Sequence, residues 1–224
     1  MVMDQTPPNF IVNNELLSMI PVDARRVVDV GCGFGALAKA YREINPAVFY
    51  TGIDIVPKYT GVASDYCSEV ITCNIEIMID SEFDNLFPSD CWVFGDCLEH
   101  LYDPWRILQK IRSKIDVNGC VVVCIPNAQH WSVQYSLASG NFIYSDSGLL
   151  DKTHIRWFTL KTMIDMFSST GWRIDRGLSR KFSSPDESRV LGAIREFARA
   201  AGLDPEKAVE EAAPFQYVFK LVVA

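Results

Sequence analysis

Two kinds of hydrophobic pattern alternate along most of this chain. Short runs of β-branched and other apolar residues, such as CVVVCI, are followed by segments in which apolar residues recur every three or four positions. The first pattern is typical of strands buried on both faces, and the second is typical of amphipathic helices. Their alternation predicts an α/β fold in which a mostly parallel sheet carries helices on both faces.

Turn and cap residues place several helix ends between the predicted strands. Asp103–Pro104 supplies an N-cap and a first-turn proline, and Asn118–Gly119 predicts the end of that helix. Thr159 and Gly171 bracket a later helix, and another is predicted at about residues 10–20. Seven runs have the composition of strands: RRVVDV, VFYTGIDI, EVITCNI, DCWVFGD, CVVVCI, WRIDRGLS and FQYVFKLVVA.

The 224 residues are predicted to form one domain, 1–224, because no Pro/Gly/Ser-rich linker divides the chain. Two insertions interrupt the alternation, at about residues 127–152 and 181–213. The second contains two helical patterns, of which the later begins at Asp204–Pro205. The apolar face of the earlier one, in SRVLGAIREFARAAG, indicates packing on the core, a lid over a site or a contact in a homodimer.

Charge and composition exclude several classes of function. The formal net charge is -7, and no basic cluster is present that could follow a phosphate backbone, so we expect no nucleic-acid partner. The apolar runs are too short to cross a bilayer and the start has no leader pattern, so we expect a cytoplasmic protein without a membrane partner. The seven cysteines include no CxxC pair, which argues against a disulfide framework and a zinc knuckle.

A glycine-rich turn follows the first predicted strand. In DVGCGFG, Gly31, Gly33 and Gly35 come two, four and six residues after Asp29, and Asp54 ends the next strand. Such a turn lets a ligand lie against exposed backbone amides, and an acid after the second strand can accept hydrogen bonds from ribose hydroxyls. The motif therefore predicts a cofactor that contains adenosine. Taken alone, it fits NAD and S-adenosylmethionine equally well.

Three motifs that occur in order along the chain distinguish between these two cofactors. DVGCGFG, GIDI and DCLEHLYDPWRILQKI resemble the class I S-adenosylmethionine-dependent methyltransferases over about residues 13–180 and the final strand. The resemblance implies a Rossmann-like three-layer sandwich with a mostly parallel seven-stranded sheet and an antiparallel final strand. It also implies S-adenosylmethionine as the cofactor. A NAD-dependent oxidoreductase and a non-catalytic methyltransferase-like binding subunit are the alternatives.

The same resemblance implies which residues hold the cofactor. Asp29 and Gly31 correspond to the positions that bind its amino-acid end, Asp54 to the ribose position, and Asp96 to a position near the sulfonium. Asn74 stands where the family often has an acid. The full set is Asp29, Gly31, Cys32, Gly33, Gly35, Asp54, Ile55, Asn74, Ile75, Asp96, Cys97 and His100.

The three histidines follow strands or lie in the first insertion, so all could reach one crevice above the sheet. His154, in DKTHIRWFT, is the first candidate for a base that accepts a proton from a hydroxyl, with Asp151 as its orienter and Arg156 as an anion or hydroxyl clamp. A substrate contact or a structural role are the alternatives for His154. His130 is a second candidate near the acceptor, whereas His100 is expected to be structural or adjacent to the cofactor.

The segment LLDKTHIRWFTLKTM also resembles bacterial methyltransferases of surface-glycan and secondary-metabolite pathways. This implies O-methylation of a small polar metabolite or sugar. Asp96 and Asn127 end adjacent predicted strands and offer oxygen ligands for a divalent cation, but a third ligand is not evident. No metal is therefore predicted.

Overall fold

The computed structural model describes residues 10–224 and contains one seven-stranded sheet. The strand order is β3-β2-β1-β4-β5-β7-β6, with β1 to β5 parallel and β7 antiparallel to both β5 and β6. This confirms the predicted Rossmann-like sheet with an antiparallel final strand. The strands are β1 Arg26–Val30, β2 Phe49–Asp54, β3 Glu69–Thr72, β4 Cys91–Gly95, β5 Cys120–Pro126, β6 Trp172–Arg180 and β7 Gln216–Val223.

Helices cover both faces of the sheet, as predicted. The described residues include two short 3₁₀ helices, Ile75–Ile77 and Leu98–His100. The α-helices are α1 Asn14–Leu17, α2 Ala36–Ile44, α3 Pro57–Ala63, α4 Asp80–Asp84, α5 Pro104–Arg112, α6 Trp131–Ala138, α7 Leu160–Ser169, α8 Glu187–Ala200 and α9 Pro205–Ala212.

Alternate residues of the central strands separate the two halves of the core. Val28 and Trp92 pack with α4, α5 and α7 on one face, whereas Val27 and Val93 pack with α1, α2 and α3 on the other. Both faces of the sheet are therefore buried, which explains why these strands are continuously apolar.

The predicted N-terminal caps Asp103 and Thr159 agree with the structure, whereas the predicted end of the helix that begins at Asp103 does not. The side chain of Asp103 accepts a hydrogen bond from the backbone N–H of Arg106 at 3.0 Å, and Thr159 caps α7. Helix α5 ends at Arg112 rather than at Asn118–Gly119, and the hydroxyl of Ser113, the residue that follows, donates a hydrogen bond to the Lys110 carbonyl at 2.8 Å. At the N-terminus, helix is confined to α1 within the predicted range 10–20, and residues 1–9 of the predicted domain lie outside the described residues.

The two insertions pack against each other. The first insertion contains α6, which the sequence pattern does not predict because its residues do not separate into an apolar and a polar face. Trp131 of α6 packs with Val190 and Ile194 of α8 and with Ala212 of α9. Helices α8 and α9 confirm the two helical patterns predicted for residues 181–213. None of the helices formed by residues 10–224 combines the length and apolarity needed to cross a membrane.

Candidate functional site

The segments that follow β1, β2 and β4 emerge side by side at one edge of the sheet. Val30 of β1 pairs with Ile53 of β2 and with Phe94 of β4, so the three parallel strands end at the same level. Open α/β sheets bind ligands in the crevice beyond these carboxyl ends. A cavity of about 650 Å³ lies there, a volume typical of small-molecule sites.

Most of the candidate residues share this cavity. Gly35, His130 and Arg156 are the exceptions, because they do not line it. The candidates that line it are Asp29, Gly31, Cys32, Gly33, Asp54, Ile55, Asn74, Ile75, Asp96, Cys97, His100, Asp151 and His154.

The glycine turn depends on backbone that other residues rarely adopt. Gly31 has φ +77°, and a Cβ there would lie 3.2 Å from Cβ of Cys97. Gly35 has φ +79°, begins α2 and would place a Cβ 3.1 Å from Cα of Ala63. Both positions therefore need glycine for conformation and for space. Gly31 lines the cavity, whereas Gly35 lies outside the lining and next to Ala63.

Two buried acids flank the turn. Asp29 is 3% exposed and accepts a hydrogen bond from the Tyr50 hydroxyl at 2.9 Å, and burial raises its pKa to about 7. Asp54 accepts hydrogen bonds from the backbone N–H groups of Gly33 and Val56, each at 2.9 Å. Burial also raises the pKa of Asp54, against the lowering effect of these hydrogen bonds. Asp54 thus holds the turn in shape, and its carboxylate lone pairs not used by the backbone remain for a ligand.

The segment after β3 forms another wall of the cavity. Asn74 begins the Ile75–Ile77 helix, where its side-chain oxygen accepts a hydrogen bond from the N–H of Glu76 at 2.9 Å. The Glu76 carboxylate in turn accepts hydrogen bonds from the N–H groups of Tyr102 and Asp103, at 3.0 and 2.8 Å. Glu76 therefore connects this wall to the start of α5.

Asp96 follows β4 directly and has φ +53°, a backbone conformation that residues other than glycine rarely adopt. Burial raises its pKa to about 6, and the side-chain amide of Gln216 donates a hydrogen bond to it. The side-chain oxygen of Gln216 accepts a hydrogen bond from the Arg180 guanidinium group. The same guanidinium group lies 3.4 Å from the Glu15 carboxylate. The sequence analysis missed Gln216, because it is 120 residues away from Asp96 and only the position of β7 brings them together.

Two histidines and a glutamate form another part of the cavity lining. His100 and Glu99 belong to the Leu98–His100 helix, and His154 comes from the segment before α7. The ring centroids of His100 and His154 are 4.8 Å apart, and Nε2 of His154 is 3.9 Å from Oε1 of Glu99. The N–H groups of Ile155 and Arg156 both donate to the Glu99 carbonyl at 3.0 Å, which fastens the two segments together. We call Glu99, His100 and His154 the polar wall.

Burial dominates the electrostatics of the polar wall. It lowers the pKa of His100, lowers the pKa of His154 to about 4 and raises the pKa of Glu99 well above its ordinary value. Both imidazoles are therefore neutral at pH 7. Glu99 is 1% exposed, and neither of its carboxylate oxygens has a hydrogen-bond partner among residues 10–224. Sequence analysis missed Glu99, and the available signal was its position next to His100 in LEHL.

The expected partners of His154 have other contacts. The Asp151 carboxylate accepts hydrogen bonds from the N–H and hydroxyl of Thr153, at 2.8 and 2.7 Å, while Nδ1 of His154 is 3.2 Å from the Leu149 carbonyl. The negative charge of Asp151 still raises the pKa of His154, although burial outweighs it. The guanidinium group of Arg156 donates to the Tyr102 carbonyl. In this arrangement Arg156 secures a loop and does not face the cavity as a clamp.

His130 is buried away from the cavity. It is 3% exposed, and its Nδ1 lies 2.7 Å from the Ser132 hydroxyl and 3.3 Å from the Ser132 N–H. This places His130 at the N-terminus of α6 as its cap. Of the three histidines, the structure brings together His100 and His154.

Comparison with known proteins identifies the family. A family model described as a methyltransferase domain matches residues 13–176, which is more than half of the chain. The chain belongs to the class I S-adenosylmethionine-dependent methyltransferases. The resemblance noted from the three motifs is thereby confirmed, and S-adenosylmethionine is the cofactor of this methyltransferase family.

Individual relatives are more distant. A ubiquinone biosynthesis O-methyltransferase from Paracidovorax citrulli (strain AAC00-1) is 33% identical over 107 residues, covering 46% of this chain and 44% of the relative. The match thus spans less than half of that relative's length.

Solved structures match more of the chain at lower identity. An O-methyltransferase from a trans-AT PKS multienzyme of Brevibacillus brevis, in complex with S-adenosyl-L-homocysteine, has a TM-score of 0.61 and 15% identity, over 94% of this chain and 71% of that one. Magnesium protoporphyrin IX methyltransferase from Synechocystis PCC 6803, with bound S-adenosylhomocysteine, has a TM-score of 0.59 and 14% identity, over 93% and 78%. At these identities the likeness shows the fold.

The residues of the methyltransferase fit this cofactor chemically. S-adenosylmethionine carries a cationic sulfonium and an ammonium group, and three acids line the cavity: Asp29 and Asp54, which are buried, and Asp96. A dinucleotide would instead bring negative phosphates to the same acids. The absence of a side chain at Gly31 and Gly33 leaves backbone accessible beside them.

Proposed function

We propose that this methyltransferase transfers the methyl group of S-adenosylmethionine to an oxygen atom of a small polar metabolite or sugar. The observation that carries the proposal is one cavity lined both by the glycine turn, which we call its cofactor end, and by the polar wall, which we call its acceptor end. Methyl transfer needs donor and acceptor held in line in a single cavity, and a hydroxyl acceptor must also lose a proton. The glycine turn is proposed to hold the donor, and the polar wall is proposed to meet the acceptor and take part in the loss of its proton.

At the cofactor end, the chain's own groups bind and orient. S-adenosylmethionine supplies an activated methyl group when it is bound. We propose that Asp29 binds the cationic amino-acid end, that Asp54 accepts hydrogen bonds from the ribose, and that Ile75 and Asn74 flank the adenine. Asp96 is proposed to lie near the sulfonium, where its negative charge favours a cation. The uncharged side chains of Cys32, Ile55 and Cys97 complete the lining and are proposed to make van der Waals contacts with the cofactor.

At the acceptor end, we propose that the polar wall meets the hydroxyl group that is methylated. His154 presents a neutral imidazole, and Glu99 presents a carboxylate without a hydrogen-bond partner among the described residues. Asp151 supports this end by holding Thr153, whose carbonyl lies 3.1 Å from Nδ1 of His100. Oxygen as the acceptor atom is further supported by the relative from Paracidovorax citrulli, which is an O-methyltransferase.

The finer features of the proposal come from sequence alone. A sugar or small polar metabolite as acceptor depends on the segment LLDKTHIRWFTLKTM and its resemblance to glycan and secondary-metabolite methyltransferases. A cytoplasmic location, a homodimer, and the absence of nucleic-acid and membrane partners stay predictions. The same holds for the role of residues 181–213 as a lid or as an oligomer contact.

Calorimetric titration with S-adenosylhomocysteine tests the cofactor, with NAD titrated separately as the control. We expect micromolar binding of S-adenosylhomocysteine alone, and binding of NAD alone would replace this proposal with an oxidoreductase. A panel of hydroxylated sugars and metabolites, incubated with S-adenosylmethionine labelled in its methyl group, then tests transfer. Cofactor binding without transfer to any member would favour the non-catalytic binding subunit.

A further inference from the structure

The carboxylate of Glu99 is the least explained polar group in the cavity. It is 1% exposed, and within residues 10–224 no lysine or arginine lies within ion-pair distance of either oxygen. A buried carboxylate without hydrogen bonds is costly, and proteins retain such a group where a ligand or ion satisfies it. Because Glu99 lines the cavity, that ligand can reach it.

The polar wall brings three potential metal-ligand atoms close together. Glu99, His100 and His154 each offer one ligand atom, and these three atoms lie within 4.8 Å of one another. Ligand atoms about 2.1 Å from a tetrahedral ion are about 3.4 Å apart. The longest separation in the cluster would therefore have to shorten by up to about 1.4 Å for the three atoms to close around an ion.

The second nitrogen of each imidazole already has a partner. Nδ1 of His100 is 3.1 Å from the Thr153 carbonyl, and Nδ1 of His154 is 3.2 Å from the Leu149 carbonyl. With the ring proton on Nδ1 in both cases, Nε2 is left with its lone pair. Backbone carbonyls are usual partners for the distal N–H of metal-binding histidines, since this contact sets both the tautomer and the ring orientation.

We propose that Glu99, His100 and His154 bind one divalent transition-metal ion, of which zinc is the representative. Two imidazoles and one carboxylate are a ligand set suited to zinc, and three protein ligands leave a coordination position open to the cavity. This extends the proposed function, on which it rests, by giving the polar wall a means of activating the acceptor. This site is separate from Asp96 and Asn127, the pair of oxygen ligands considered from the sequence. The side chain of Asn127 is engaged elsewhere, since its amide donates hydrogen bonds to the carbonyls of Glu211 and Pro214.

The chemistry of such a site balances without redox change. Coordination of the acceptor hydroxyl lowers its pKa, so that its O–H bond breaks and the proton passes to water in the open cavity. The acceptor oxygen then forms a bond to the methyl carbon while the bond from that carbon to sulfur breaks, and the sulfur keeps the electron pair. His154 is in this case a metal ligand rather than a free base.

Zinc binding by the chelator-stripped protein tests the proposal. Calorimetry should give one zinc ion per chain, with affinity reduced at least about 100-fold in Glu99→Gln and in His154→Ala. Zinc should also raise the unfolding temperature of the wild type and leave that of Glu99→Gln unchanged. Two matched controls should bind zinc as the wild type does. His130→Asn removes a histidine outside the cavity while keeping an N-cap, and Cys73→Ser removes the half-buried thiol.

The outcomes separate this proposal from the function on which it rests. Titration of S-adenosylhomocysteine runs in parallel, and its affinity should change less than about threefold in both polar-wall variants. Absence of zinc binding, or equal binding by wild type, Glu99→Gln and His154→Ala, would overturn the metal site while leaving a protein that binds S-adenosylhomocysteine. Failure of the wild type to bind S-adenosylhomocysteine would instead overturn the proposed function. Zinc binding lost only in Cys73→Ser would assign the ion to a thiol.

Discussion

The two ends of the cavity are assembled in different ways. The glycine turn and its two acids come from residues 29–54, which contain the end of β1, the turn, α2 and the neighbouring parallel strand β2. The polar wall joins Glu99 and His100 to His154, which is more than fifty residues further along the chain, through backbone hydrogen bonds to the Glu99 carbonyl. The glycine turn with its two acids is thus local and dominated by backbone, whereas the polar wall is long-range and dominated by side chains.

This difference predicts which measurement each end controls. Changes in the glycine turn should alter cofactor affinity and folding together, because backbone shape and binding surface coincide there. Changes in the polar wall should alter transfer with little effect on cofactor affinity. A variant that violated this division would show that the two ends are coupled.

The largest expected effect is that of Glu99→Gln on the transfer rate. Replacing the carboxylate removes a group proposed to activate the acceptor, and we expect kcat to fall by about 10²- to 10³-fold. The affinity for S-adenosylhomocysteine should stay within about threefold, since Glu99 belongs to the acceptor end. Single-turnover transfer with labelled cofactor and calorimetry measure the two quantities. A kcat within a few fold of wild type would remove Glu99 from the chemistry.

Gly31→Ala should act on folding and binding at once. The new Cβ would occupy a backbone with φ +77° and lie 3.2 Å from Cβ of Cys97, so we expect a loss of about 1–3 kcal/mol in unfolding free energy and a parallel loss of cofactor affinity. Gly192→Ala is the matched control, because this glycine lies inside α8 with open space around its added Cβ. It should stabilise the protein by up to about 1 kcal/mol. Urea unfolding compares them, and equal effects would contradict the role assigned to Gly31.

Asp54→Ala should weaken cofactor binding by more than about tenfold, because it removes hydrogen-bond acceptors from both the ribose and the glycine turn. Asp54→Asn separates these contributions, since an amide keeps one oxygen for the N–H of Gly33 or Val56. Calorimetry with S-adenosylhomocysteine gives both affinities. An unchanged affinity in Asp54→Ala would take this residue out of the cofactor site.

The smallest expected effect is a proton released when the cofactor binds. The pKa of Asp29 is raised to about 7 by burial, so near pH 7 a fraction of the free protein carries a proton there. A cationic ligand favours the carboxylate and lowers its pKa, so affinity should rise as the pH rises through about 7 and fall below it. Calorimetry at pH 7 in buffers of different ionisation enthalpy should detect release of up to about half a proton.

Asp29→Asn is the variant that assigns this proton. The groups around Asp29 include the Tyr50 hydroxyl and Asp54, whereas Asp96 is a separate acid of the same cavity with a pKa of about 6. Proton release that persisted unchanged in Asp29→Asn would point to Asp96. Its disappearance would confirm the source as Asp29.

The fold and the cofactor end were predictable from sequence because their signals are local. Continuous apolar runs predict strands buried on both faces, as in β4 and β5, and each of the seven runs with strand composition corresponds to a strand of the sheet. A glycine turn followed by Asp54 predicts an adenosine site, since positive φ and close backbone approach depend on neighbouring residues. Caps such as Asp103 and Thr159 are equally local, and both predictions were confirmed.

The acceptor end and the insertions were decided by tertiary contacts. From the sequence, all three histidines were expected to reach one crevice. Only packing shows that His130 caps α6, while the rings of His154 and His100 are in contact. The missing hydrogen bonds of Glu99 and the contact of Gln216 with Asp96 depend on segments far apart in the chain. Burial and electrostatic environment are properties of the folded core, and no pattern of neighbouring residues encodes them. The sequence by itself therefore determined the family architecture and the glycine turn of the proposed cofactor site, whereas the tertiary structure decided which distant side chains share the cavity.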